Sequence, residues 1–108
     1  MMMRAIKTTV LVAAFAAGAA AAADGVTVFQ KDRQFSQGEV TIKRGQSVTY
    51  TNNDPFTHNV YSKTPGMAFD LKTQKPGQSS EITFDKAGTA DVQCAIHPQM
   101  KMKVVVTE

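Results

Sequence analysis

The chain has 108 residues, a formal net charge of +3, a single cysteine and no tryptophan. One cysteine excludes an intramolecular disulfide, and the length allows one small domain with one core. Part of the slight basic excess sits in the first seven residues, so the remainder gives no electrostatic reason to expect nucleic acid.

Residues 1–7 carry Arg4 and Lys7, residues 8–20 are apolar and alanine-rich, and Ala21-Ala22-Ala23 places small side chains before Asp24. That order is the pattern of a secretory signal peptide, with cleavage expected after Ala23. A membrane anchor is the alternative, but the apolar run falls short of the roughly 20 residues that a span requires. The expected organisation is a signal peptide at 1–23 and one exported, periplasmic domain at 24–108, monomeric and with no stable membrane insertion after cleavage. An exported domain this small is often stapled by a disulfide or a metal. With the disulfide excluded, a metal is expected, and Cys94 is its first candidate ligand.

After residue 23 no repeat or low-complexity tract occurs, and no segment keeps a helical period. Short segments alternate instead. Residues 26–30 come first; Val40 and Ile42 then lie between Glu39, Thr41 and Lys43, and Val48 and Tyr50 between Ser47, Thr49 and Thr51. A period of two marks half-buried strands. Residues 59–62, 81–84, 89–94 and 101–107 are further candidates. Turn signals separate them at Arg44-Gly45-Gln46, Asn52-Asn53-Asp54-Pro55, Thr64-Pro65-Gly66, Lys75-Pro76-Gly77 and Lys86-Ala87-Gly88. Seven or eight short strands at this spacing predict an all-β Greek-key sandwich. Residues 65–78 fit either a short helix or an irregular loop.

The chain contains two histidines. His58 follows the turn in "NNDPFTHNVYS", and His97 lies three positions after Cys94, in "CAIHPQMKMKVVVTE". If the strands beside them are Greek-key neighbours, both imidazoles meet at one end of the sandwich. Two imidazoles, a thiolate and a weak thioether form the soft donor set of a mononuclear blue-copper electron-transfer centre. Taken singly, each residue also has an ordinary reading: a buried small cysteine, a core methionine, a loop histidine. The metal reading rests on their combination in an exported β-sandwich.

These residues resemble the small blue-copper proteins, or cupredoxins, most closely the amicyanin, plastocyanin and pseudoazurin types. The similarity runs through nearly all of 24–108: "VTIKRGQSVTYTNND" is like the strand, glycine turn and strand before the first ligand. "NNDPFTHNV" is like the first-histidine region, and "CAIHPQMKMKVVV" like the ligand loop and last strand. The resemblance implies a cupredoxin-like fold, one Cu(I)/Cu(II) centre, and His58, Cys94 and His97 as equatorial ligands. For the axial ligand it offers two loop lengths, one selecting Met102 and the shorter selecting Met100. In the amicyanin and plastocyanin pattern two residues separate the ligand from a lysine that begins the final strand, and Lys103 fits that place if the ligand is Met100.

Asn59 matches a family position whose backbone N–H donates to the cysteine sulfur and whose side chain ties two ligand loops together. Ile96 departs from the proline of these relatives and is expected to add a second N–H···S bond to Cys94. Aromatic residues common before the cysteine give way to Asp91, Val92 and Gln93. The function implied is one-electron transport between redox partner proteins, with no catalysis. His97 would be the port, ringed by Pro98, Phe56, Pro65 and Met67. The alternative is copper delivery or tolerance, for which Met67, Met100 and Met102 would supply thioethers.

Overall fold

A computed structural model describes residues 25–108, so the expected leader and its cleavage site lie outside the described residues. Nine strands occur: β1 (Gly25–Lys31), β2 (Gln34–Phe35), β3 (Glu39–Lys43), β4 (Ser47–Asn52), β5 (Val60–Ser62), β6 (Phe69–Asp70), β7 (Ser79–Thr83), β8 (Gly88–Cys94) and β9 (Lys101–Thr107). They form two sheets, in the orders β2-β1-β4-β7 and β3-β9-β8-β5-β6. β1 with β4 and β3 with β9 run parallel, and the other pairs are antiparallel. The all-β sandwich expected from the alternation is therefore present. Among the described residues no helix is long and apolar enough to cross a membrane.

Side chains of alternate parity carry the core. Val28 in β1, Val48 and Tyr50 in β4, and Val40 and Ile42 in β3 are all buried. Val60, Ala90, Val92, Met102, Val104 and Val106 of the other sheet join the same cluster. Tyr50 anchors the layer between the sheets, 6.2 Å from the Phe35 ring and 5.9 Å from that of Phe69. Burial pushes its phenol well above the usual range, so it stays protonated.

Two strands went unannounced because each is two residues long and cannot display an alternation. β2 closes a hairpin on β1 through Asp32 and Arg33, whose φ values of 54° and 58° give the twist of a type I′ turn. Asp32 suits such a turn, but Arg33 stands where glycine is favoured, so something must hold it. β6 lies within residues 65–78, where a helix or a loop was expected; the remainder of that segment is irregular.

Two features bring both histidine loops to one end. The chain leaves β4 in one sheet and enters β5 in the other through residues 53–59. β5 then pairs antiparallel with β8, setting Val60 opposite Cys94. The start of one strand and the end of its neighbour are thus side by side, with His58 just before the first and His97 just after the second.

Candidate metal centre

His58 is fully buried and held at both backbone groups: its N–H donates to Gln74 O at 3.1 Å, and its C=O accepts from Gln74 N at 2.8 Å. Gln74 is itself buried, its amide donating to Tyr50 O while accepting from Gln30 Nε2 at 2.6 Å. Asn52 braces the same loop, donating to Phe56 O and Gln74 O at 2.9 and 3.0 Å. The first histidine therefore projects from a backbone whose polar groups are bonded on either side, a support that fixes the ring before any ligand arrives.

Cys94 ends β8 and is buried. The chain then turns back toward β9: Met100 N donates to His97 O at 2.9 Å, and Cys94 N to Met100 O at 3.3 Å. This tight loop sets the backbones of Cys94, His97 and Met100 side by side. Met100 is 1% exposed and precedes β9, outside the apolar cluster. Met102 belongs to that cluster and pairs with Val92. The two methionines thus stand in different surroundings, although the final strand opens at Lys101 and not at Lys103, where the lysine argument placed its start.

The donor atoms of His58, Cys94 and His97 converge. Cys94 Sγ lies 3.5 Å from His58 Nδ1 and 3.9 Å from His97 Nδ1, and the two Nδ1 atoms are 3.2 Å apart. A triangle with these edges contains a point about 2 Å from every corner, close to the length of a bond from a first-row metal to imidazole nitrogen or thiolate sulfur. Lone pairs this close repel unless a proton or a metal ion lies among them. Size and donor chemistry both fit one soft metal ion.

The surroundings tune these groups. His58 Nε2 sits 2.7 Å from Asp54 Oδ2. Burial pushes the Asp54 carboxyl up, but the His58 bond and the backbone N–H groups of Arg33 and Asp32 outweigh it and hold it below its ordinary value. His97 is pushed down, first by burial and then by the charges of His58 and Arg33, which favours the neutral ring that a metal needs. Phe56 packs 5.4 Å from both imidazoles, and the Arg33 guanidinium lies 4.8 Å from the centre of the Phe56 ring.

Other expected residues fall in three groups. Asn59 N–H does donate to Cys94 Sγ, at 3.4 Å. Its side chain, however, bonds Asp70 in β6 at 3.0 Å, and the two ligand loops are tied by backbone instead, Ala95 N to Asn59 O at 2.9 Å. Ile96 does not supply a second N–H···S bond: among the described residues the backbone N–H that reaches Sγ is that of Asn59. Ala95 prolongs the strand pairing by its bond to Asn59, and the chain then bends outward, leaving Ile96 50% exposed.

Phe56 and Pro98 lie at the histidine end, but Pro65 and Met67 do not. β5 runs away from His58, so Pro65, beyond its far end, sits near Lys63 and Asp91. Met67 is core, 6% exposed, and faces Gly88 at the opposite end of β8, about 20 Å from Cys94 at the rise of a strand. Asp54, Gln74 and Arg33 carried no expectation from sequence. A carboxylate four residues before the first histidine was the available signal for Asp54, read only as part of a turn.

Residues 22–107 match the family model of copper binding proteins of the plastocyanin/azurin family. The chain belongs to that family. Amicyanin-alpha of Methylorubrum extorquens is 36% identical over 96% of this chain and 99% of its own length. Amicyanin of Paracoccus versutus is 37% identical over 78% of this chain and 66% of its own. Among solved structures, the Cu(I) form of a methionine-to-alanine mutant of amicyanin superposes with a TM-score of 0.71 at 30% identity, covering 76% of this chain and 81% of that one. A copper-containing nitrite reductase from Thermus scotoductus gives 0.72 at 27% identity, with 78% of this chain covering 22% of the larger protein. Copper is thus the metal of this cupredoxin, and His58, Cys94, His97 and Met100 form a cupredoxin-type site for one ion.

Proposed function

We propose that this cupredoxin is a periplasmic, monomeric blue-copper electron carrier, with His58, Cys94 and His97 as equatorial ligands and Met100 as the axial one. The observation that carries the reading is the convergence of three donor atoms at an end of the sandwich where one ligand ring, that of His97, reaches the surface. When bound, copper supplies one-electron chemistry by alternating between Cu(I), which suits thiolate and thioether, and Cu(II), which imidazole also suits.

The chain's part is to hold these donors still. His58 is clamped by Gln74, and Asn59 N–H is fixed on the sulfur, so little has to move when the charge changes. His97 then offers the shortest route to solvent. Ile96, Pro98 and Phe56 form an apolar rim around it, with the Arg33 charge at its edge. A small apolar patch of this kind suits transient docking to a donor and an acceptor protein.

Both histidines of the chain stand at this one site, leaving none for the second copper centre of a nitrite reductase. That supports a carrier rather than an enzyme. Copper delivery is disfavoured because Met67 and Met102 are buried in the core and offer no exposed thioether. The test is voltammetry of the copper-loaded protein. A reversible one-electron wave accompanied by intense blue colour is expected; tight Cu(I) binding with neither would favour delivery.

A further inference from the structure

Asp54 stands in contact with His58 on the side away from Cys94. Both side chains are sealed from solvent, at 1% and 0% exposure, and the Nε2···Oδ2 distance is 2.7 Å. An ionised carboxylate has no proton to give, so Nε2 must be the donor. With its proton there, His58 presents a bare Nδ1 to Cys94 and His97, the atom that lies 3.5 and 3.2 Å from theirs.

The carboxylate cannot swing away. Its Oδ1 accepts from Asp32 N at 2.6 Å and its Oδ2 from Arg33 N at 3.1 Å. These N–H groups belong to the hairpin turn with two left-handed residues, which Asp54 thereby holds. Asp54 N–H donates to Asn52 Oδ1 at 2.9 Å, joining it to the network that braces the histidine loop. One buried negative charge thus locks the β1–β2 turn and the first histidine together.

We propose that Asp54 is a positioning residue that fixes the tautomer of His58 and, by polarising its ring, lowers the reduction potential of the copper site. The proposal rests on the copper-carrier reading above and deepens it. A carboxylate that accepts the distal N–H of a ligand imidazole strengthens that imidazole as a donor, and the stronger donor favours the more highly charged Cu(II). Arg33, whose backbone N–H bonds the same carboxylate, links this charge to the rim: its guanidinium lies over Phe56, which packs against both ligand rings.

Asp54→Asn is the discriminating substitution, because the amide has nearly the same shape but no charge, and its NH₂ must face one of three donors. Loss of such a partner typically weakens metal binding by about 10–100-fold. Each tenfold loss in Cu(II) affinity relative to Cu(I) raises a one-electron potential by about 59 mV. Copper-loaded Asp54→Asn is expected to remain blue and to show a raised potential. An unchanged or lowered potential in a folded, blue variant overturns the proposal.

Nitrogen-15 NMR of the copper-free wild-type protein gives a second measurement that needs no variant. It is expected to find the His58 proton on Nε2, and a proton on Nδ1 instead overturns the proposal even if Asp54→Asn does not fold. Failure of the wild-type protein to turn blue with Cu(II) would strike the copper-carrier reading alone, since the tautomer is read without copper.

Discussion

Met100 and Met102 differ by two positions and share a face, yet they stand in different surroundings. Met100 is tied by its backbone to His97 and Cys94 at the ligand loop, whereas Met102 is packed among the valines of the core. Met100→Ala should change the visible spectrum and the reduction potential of the copper-loaded protein, and Met102→Ala should leave both nearly as they are. A larger spectral effect from Met102→Ala would reverse the axial assignment. Ile96 gives a complementary expectation: it donates no bond to the Cys94 sulfur, so Ile96→Pro removes none. Voltammetry should therefore find almost no change in potential, and a clear fall with an unchanged spectrum would show that the N–H does act on the sulfur.

At the scale of elements, β9 is the strand that links the site to the core. Met102 fills space opposite Val92, and truncating it to alanine should cost about 2–5 kcal/mol through lost burial and the cavity left behind. Denaturant unfolding of the copper-free protein measures this; a loss under about 1 kcal/mol would mean that the site collapses or that Met102 is not core. β3 and β4 were legible in the sequence because apolar and polar residues alternate along them. β2 and β6 were not, since two residues carry no period. The metal ligands were legible from residue chemistry, and their convergence follows from β5 pairing with β8. What the sequence hid was polar and long-range: Gln74 is buried as a brace, Asp54 as a clamp, and neither identity announces its burial. Pro65 and Met67 were misplaced for a directional reason, because β5 carries the chain away from His58.

At the scale of the whole molecule, the two sheets share one apolar layer, and the metal site spans a second junction between them. His58 comes from the crossover between the sheets, and Cys94, His97 and Met100 from the loop between β8 and β9. An ion held there cross-links segments far apart in sequence and binds the folded state alone. Copper should consequently raise the melting temperature, by an amount equivalent to about 4 kcal/mol when free copper exceeds the dissociation constant a thousandfold. Thermal unfolding of Cys94→Ala should show little of this gain. Equal melting of copper-free and copper-loaded wild-type protein would contradict a native site. The most direct test is the visible spectrum during titration of copper-free protein with Cu(II). Intense blue absorption that saturates at one copper per chain and is absent from Cys94→Ala is the predicted result; no blue colour, or the same blue colour in Cys94→Ala, would contradict it.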